Sequence, residues 1–571
     1  MDRRTRLLLV AGTTAALLAA WAGAASAGAR GQTSAGARAH TSAGAGTQAS
    51  AGVGGGPSAN AQVTARFAPY TIPPREPRPT SAAARSLLRG SSVTSRDAWI
   101  VVHLRGGPYR IGFQNGYLTA QSSDYAIRVD MGPRGSSDRK RWDKVARLYI
   151  WRLVPGEYRR ELRGIADGMH AAGYTRDTLW DVVAANAWAD EACYDALLPG
   201  AAVTSAATPQ AADAASGSDS STAGAATGAT AGAATAGHRA GKGGCSAFIA
   251  TGGATVDGRP VMGHNTWADY AGSFMYNVMF YVHPSRGFDF SYQSSGGSIW
   301  SGVDWYENSA GLLLTETTLA DSTYTRTGVP VFVRARETAQ YDATVAQAVH
   351  TLIHRNNGAY SNEWLIGDRT GEIASLQLGN KAHDLHETRD GYFGSSNFDW
   401  GPKTRAEEIA DKSADGPDPY NPAVVDYARY VRWGQLQDLY HGTIDAQVGM
   451  AMESDTYDTY LGQERADARD ICGEPEHSTP GLLGWDSWVL DPQGAIDGKV
   501  CTEAMALDGL QSWACWGHGS GDHFDAAAYL ARHRSWAAGN GALAVFGLET
   551  FSAQNTDRWV RLRGDRSRQG A

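Results

Sequence analysis

Cys245 is the residue whose type and setting could do chemistry, because it follows Gly243 and Gly244 where low-complexity sequence gives way abruptly to patterned sequence. If the Gly244–Cys245 peptide bond is cut, the α-amine of Cys245 comes free beside its own thiol. Such an amine has an unperturbed pKa of about 7.7–8.0, so part of it is unprotonated near neutral pH and can take the thiol proton. Nucleophile and base then sit on one residue. A free cysteine is more often a small buried hydrophobe, so the residues after it must carry the case.

Residues 246–251 read as a strand, 252–257 as a loop closed by Asp257-Gly258, and 258–264 as a second strand running back. That hairpin returns His264 and Asn265 beside Cys245. Polar groups delivered to a strand-leading thiol make a site geometry, which a merely packed cysteine does not need.

Gly263-His264-Asn265-Thr266-Trp267, Leu314-Thr315-Glu316-Thr317-Thr318 and the segment from Asn356 to Trp364 resemble the phospholipase B-like proteins, which are N-terminal-nucleophile hydrolases. Ser395-Ser396-Asn397, Thr404-Arg405-Ala406 and the run Gly494 to Val500 continue the resemblance in order. Upstream, Ile111-Gly112-Phe113-Gln114-Asn115-Gly116 and Gly164-Ile165-Ala166-Asp167-Gly168 are similar to the broader acyltransferase and amidohydrolase group of that fold. The resemblance implies an α+β fold, a four-layer αββα sandwich of the N-terminal-nucleophile type with an N-terminal helical segment packed on it. It implies Cys245 as nucleophile, His264 as the group orienting it, Asn397 as an oxyanion donor, and Thr317 and Arg405 as the rest of the polar shell. Arg405 would also suit a carboxylate, phosphate or carbonyl oxygen. Asn265 and Trp267 are placed as substrate-binding residues, and Gly244-Cys245 as the autocatalytic cleavage site. The implied activity is hydrolysis of acyl esters or amides through a thioester, with phospholipids as substrates and without a cofactor. An acyltransferase or an amidase acting on N-acyl amines, acyl amino acids or β-lactams uses the same steps, and a non-catalytic lipid- or glycan-binding protein would leave Cys245 uncut.

The elements that must position these groups come from the chain order. Arg3, Arg4 and Arg6, an apolar run from Leu7 to about Ala20 and Ala25-Ser26-Ala27 predict a secretory signal over 1–27. Residues 28–96 read as a low-complexity tail and linker, and 201–244 as a flexible linker ending at the cut, since Ala, Gly, Ser and Thr bury too little apolar surface to offset ordering. Between them, 97–200 reads as an α-rich segment, with a strand at 98–104 and helical spacing in Trp142, Val145, Leu148, Tyr149 and Leu153 and again over 178–189. The catalytic domain is 245–571, with strands expected at 274–282, 309–317, 362–368, 372–378 and 391–397, and helices at 345–354 and 422–440, the latter capped by Asn421.

The formal charge of −8 gives no reason to expect nucleic acid. No stretch after the signal is apolar enough for a membrane span, so a secreted protein of two associated fragments is expected. Setting Cys245 aside, Cys193, Cys472, Cys501 and Cys515 are an even set for an oxidising compartment; Cys501–Cys515 closes the shortest loop and is the expected disulfide. No metal site is expected: His350 and His354 have zinc spacing, but residue 351 is Thr where a metalloprotease needs Glu.

Overall fold

The computed structural model describes residues 79, 81–190, 194, 244–319, 325, 327–407, 420–474 and 492–564. All of these belong to one unit, Ala59–Ala571. The expected signal, the unit Met1–Ser58, most of the second linker and Cys193 lie outside them.

The strands are β1 (Ser92–Arg96), β2 (Trp99–Gly106), β3 (Ser246–Gly252), β4 (Gly258–Asp269), β5 (Val278–Pro284) and β6 (Phe290–Ser294). They continue with β7 (Trp305–Asn308), β8 (Leu313–Thr318), β9 (Asn362–Gly367), β10 (Ile373–Leu378), β11 (His383–Thr388) and β12 (Gly391–Ser395). A short pair, β13 (Tyr457–Asp458) and β14 (Gln463–Glu464), precedes β15 (Gln493–Thr502), β16 (Gln511–Trp516) and β17 (Trp559–Arg563). The larger sheet has the order β1-β2-β5-β6-β7-β8-β9-β10-β11 and the smaller β12-β3-β4-β15-β16-β17. Neighbours are antiparallel except β2 and β5, which run parallel.

Alternation along the strands sorts side chains into three cores, as a period of two requires. Ile249, Met262, Ile496 and Trp516 of the smaller sheet share one core with Trp99, Met279, Trp305 and Leu365 of the larger. Ile100, Val102, Phe280, Leu314 and Ile366, on the other face of the larger sheet, pack with Ile111, Leu162, Val183, Phe332 and Leu352 from helices. Phe248, Val261 and Val500, on the other face of the smaller sheet, pack with Trp433, Leu436 and Met452. The fold is α+β, and Cys245, His264 and Thr317 lie where the two sheets meet.

The two upstream glycine stretches lie on helices Pro108–Leu118 and Gly156–Ala171. A Cβ at Gly112 would sit 1.9 Å from the Glu161 carbonyl oxygen, and one at Gly168 would sit 2.3 Å from that of Phe113. The glycines let two backbones touch, and a methyl group there would cost about 1–3 kcal/mol in overpacking.

Several expectations need correction. The domain boundary at 97 cuts a hairpin: β1 and β2 pair from Ser92↔His103 to Arg96↔Trp99, with Asp97 at φ 55° in the turn. Residues 82–87 before it are helical, capped by Ser81, whose Oγ accepts the Ala84 N–H at 3.0 Å. Local capping and pairing outweigh a composition that read as linker. The segment from Ser92 onward therefore also adds an edge of two strands, β1 and β2, to the large sheet. Its helix through Trp142 gives way to a π turn at Ala146–Ile150 and a 3₁₀ turn at Trp151–Leu153. The later helix starts at Val425, because Asn421 closes its own turn by accepting the Ala423 N–H at 3.0 Å. Cys501 and Cys515 are free and buried. On β15 and β16, Gly498 faces Cys515, so Cys501 is three positions out of register and on the opposite face of the sheet. Cys501 packs between the sheets, while the Cys515 thiol points to the His518 carbonyl oxygen at 3.6 Å.

Candidate active site

Cys245 precedes the first residue of β3 and is 3 % exposed. On β3 and β4, Ala247 pairs with His264 and Ser246 with Asn265. The pleat sends Cys245, Ala247, His264 and Thr266 toward the other sheet, and Ser246, Asn265 and Trp267 toward the helices. On β15, Lys499 pairs with His264 and Asp497 with Thr266, which puts both charges on the Cys245 face. The register of β12 on β3, Ser395↔Ala247, brings Asn397 past the end of β12 to the level of Cys245.

His264 is buried, with Nε2 3.0 Å from the Glu316 carbonyl oxygen and Nδ1 3.4 Å from Thr266 Oγ1. Burial, reinforced by the Lys499 charge, holds it well below the ordinary histidine range, so the ring is neutral. Thr317, at the end of β8, joins the sheets: its hydroxyl lies 2.6 Å from Ser395 Oγ and accepts the Asn397 N–H at 3.3 Å. Asn397 sits at φ 66°, donates its side-chain amide to the Thr318 carbonyl at 2.8 Å, and offers Oδ1 to Arg429 at 3.1 Å.

Asn265 and Trp267 lie on the reverse of the strand. Asn265 donates to the carbonyls of Glu453 and Ile471 at 2.7 and 3.0 Å. Trp267 covers the cleavage site: a Cβ at Gly244 would lie 2.2 Å from its Cε3. Only glycine fits there. Arg405 lies on helix Pro402–Glu407, its guanidinium carbon 5.0 Å from the Phe398 ring centroid and 5.1 Å from that of Tyr420. Among the described residues no hydrogen bond joins it to Cys245, and its buried Nε and Nη2 have no partner.

Arg429, absent from the sequence assignment, does hold the cleavage site. Its Nη1 donates to the carbonyls of Gly244 and Cys245 at 3.1 and 2.6 Å and to Ser246 Oγ at 3.2 Å. Its Nη2 is tied to Asp426 at 2.7 Å, and its guanidinium carbon stacks 4.5 Å from the Trp267 ring centroid. The fork is fully buried and pre-oriented, as a charge-assisted donor to a developing oxyanion should be. The signal in sequence was its place on the buried stripe Val425, Ala428, Arg429, Trp433, Leu436 of a helix.

Carboxylates complete the surroundings. Cys245 Sγ, a His264 ring nitrogen and an Asp304 oxygen lie within 4.8 Å of one another, a buried trio of thiol, imidazole and carboxylate. Burial raises the Cys245 thiol well above its ordinary value, with Asp304 and Glu316 adding to this, while a backbone hydrogen bond from Trp267 and the Lys499 charge oppose it. The uncut thiol is thus protonated and needs a base. Lys499 donates to Thr266 Oγ1 at 2.8 Å and pairs with Asp497, whose other oxygen accepts from Gln293 at 2.6 Å. Glu316, Asp497 and Lys499 lie in the resembling blocks, where sequence assigns them no role. Glu316 falls in the strand expected over 309–317, while no expected element covers Asp497 and Lys499.

No family model matches the chain. An uncharacterized protein of Archaeoglobus fulgidus is 27% identical over 296 residues, which are 48% of this chain and 41% of that protein. The match thus spans less than half the length of that relative. Among solved structures, penicillin V acylase from Agrobacterium tumefaciens is 13% identical with a TM-score of 0.30, over 48% of this chain and 83% of that one. A mutant conjugated bile acid hydrolase from Clostridium perfringens is 10% identical with a TM-score of 0.28, over 48% of this chain and 89% of that one. Likeness at that level does not fix a chemistry, which must come from the site.

Proposed function

We propose that this chain is a cysteine hydrolase of the N-terminal-nucleophile type, which cuts its own Gly244–Cys245 bond and then removes acyl groups from phospholipids or related acyl esters and amides. The observation that carries it is Arg429, whose guanidinium meets the carbonyl of the bond to be cut beside a buried, unpaired thiol. Two sheets sharing one core, each backed by helices, are what a four-layer αββα sandwich requires.

The thiol attacks the Gly244 carbonyl, the acyl group passes to sulfur, and water releases the upstream piece. In turnover the freed α-amine takes the thiol proton, and Arg429, with Asn397 beside it, would meet the substrate oxyanion. Acyl lipids are favoured by the aromatic residues gathered around Phe398, which follows Asn397. Phe398 lies 4.9–5.6 Å, centroid to centroid, from the rings of Tyr420, Tyr427 and Tyr430, an aromatic wall on which Tyr420 is 54% exposed. Arg405 over that wall has two donors without a partner among the described residues, and they suit a phosphate. Secretion is part of the proposal, supported by the basic and apolar residues at 1–27; no described helix is long and apolar enough to cross a membrane.

N-terminal sequencing of purified protein tests the scheme, together with a panel of phospholipids, N-acyl amines and acyl amino acids. A fragment starting at Cys245 with acyl release from phospholipid is expected. An active chain left uncut overturns the mechanism, and release from N-acyl amines alone overturns the substrate.

A further inference from the structure

Before the cut the nitrogen of Cys245 is an amide, so the α-amine that serves turnover cannot take the thiol proton. Another group must supply the base for the first step. The groups facing the thiol are His264 from β4, Asp304 from the turn before β7, Glu316 from β8 and Lys499 from β15. Lys499 is engaged by Asp497 and Thr266. His264 keeps a proton on Nε2 toward the Glu316 carbonyl, and its burial beside Lys499 makes the other nitrogen a very weak base. Glu316 is raised strongly by burial and then by the charge of Asp304, so it holds its proton.

Asp304 is different. Its carboxylate oxygen lies within 4.8 Å of Sγ, a gap that one water or a small rotation closes. Its backbone is fixed at φ 62°, and its carbonyl accepts the Thr315 hydroxyl at 2.6 Å, so the side chain is aimed by the turn. Burial raises it to about 7, while the neighbouring Glu316 carboxyl and the Lys499 charge hold it down and Asp497 pushes it up. The phenols of Tyr276, Tyr306 and Tyr360, also packed around it, are raised far out of the neutral range by burial and do not compete for the proton.

We propose that Asp304 is the general base of self-cleavage, an assignment that rests on the function proposed above. Its carboxylate takes the Cys245 thiol proton as sulfur bonds to the Gly244 carbonyl carbon, and the oxyanion forms against Arg429. Asp304 then gives that proton to the Cys245 nitrogen as the C–N bond breaks, which leaves a thioester and a neutral amine. In the second half a water attacks the thioester carbonyl and its proton goes to Asp304. The C–S bond breaks, and that proton passes to sulfur. One water is consumed, and a carboxyl and an amine result.

The test measures the rate at which newly made full-length chain is cut, between pH 5 and pH 8.5, in the parent, Asp304→Asn, Asp304→Glu and Cys245→Ala. The parent rate should rise about tenfold per pH unit at the acid end and level off near neutral pH. Asparagine tolerates the left-handed backbone, so Asp304→Asn should fold, cut about 10²–10⁴-fold more slowly and lose the inflection. Hydroxylamine should not release its upstream piece, because no thioester has formed. Asp304→Glu should keep the inflection, and Cys245→Ala should stay uncut at every pH. A parent rate that is flat with pH, or an Asp304→Asn chain that cuts at the parent rate, overturns the assignment while leaving Cys245 as nucleophile. A parent chain never cut at Gly244–Cys245 overturns the proposed function itself.

Discussion

Arg429 Nη1 lies 2.6 Å from the carbonyl oxygen of Cys245 and is the same nitrogen that meets the carbonyl of the preceding residue. One buried donor thus grips the backbone on both sides of the bond to be cut. Its own charge is balanced by Asp426 at 2.7 Å, so it is held rather than free to search. Loss of one oxyanion donor costs on the order of 10²–10³ in rate. Arg429→Lys keeps the charge but loses the fork, and should slow both self-cleavage and turnover by a comparable factor. Gel analysis of maturation beside acyl release checks this; maturation at the parent rate would mean that Arg429 only supports the helix.

Gly244→Ala should stop maturation for a steric reason, since the new methyl would press into the Trp267 indole. The indole in turn rests on Arg429, so the disturbance passes to the oxyanion donor. Adding Trp267→Ala makes room, and the double variant should recover cutting that Gly244→Ala alone has lost. If it does not, the glycine matters through its backbone freedom and not through the space above it.

The hairpin that leads with Cys245 was legible because its signals are local: alternating apolar residues, an Asp-Gly turn, and a polar pair at the far end. Asn397 came from the resemblance of Ser395-Ser396-Asn397 alone; the pairing of β12 with β3 that brings it level with Cys245 has no local signal. Arg429 was not, because an arginine inside a helical pattern reads as a solvated face until tertiary packing shows which stripe is buried. Asp304 has no local signal either; a left-handed residue between a Trp- and Gly-rich loop and β7 is set by the turn it closes. The disulfide expectation failed because short sequence separation says nothing about which face of a sheet each cysteine occupies. Residues 82–96 misled by composition, where one serine cap and five cross-strand pairs decide the structure.

Buried acids should make this fold acid-preferring. Glu307 on β7 is 1 % exposed, and among the described residues neither of its oxygens has a partner in hydrogen-bonding geometry. Burial raises it to about 8, opposed only by the neighbouring Ser291 hydroxyl. In the unfolded chain it titrates near about 4.3. The folded value lies above the unfolded one, so the full stability is present below about pH 4.3, is lost as the pH climbs, and is gone above about pH 8. The loss is on the order of a few kcal/mol for this residue. Glu307→Gln cannot ionise and should show a flatter melting-temperature profile from about pH 5 to about pH 9, with the larger gain at the alkaline end. Parallel profiles for parent and variant would mean that Glu307 is solvated or paired in solution.

Arg405 gives the most direct reading of the substrate. It is held over Phe398 and Tyr420, while its buried Nε and Nη2 have no acceptor among the described residues. A buried guanidinium with open donors is costly unless a ligand completes it. If a phosphate does so, Arg405→Gln should raise KM for an anionic phospholipid about tenfold or more, the worth of a charge-assisted hydrogen bond, with kcat little changed. A neutral N-acyl amine of the same chain length should be cut as before. Equal loss on both substrates would make Arg405 a packing residue. Loss in kcat at constant KM would place it at the reacting bond, with Arg429 no longer sufficient for the oxyanion.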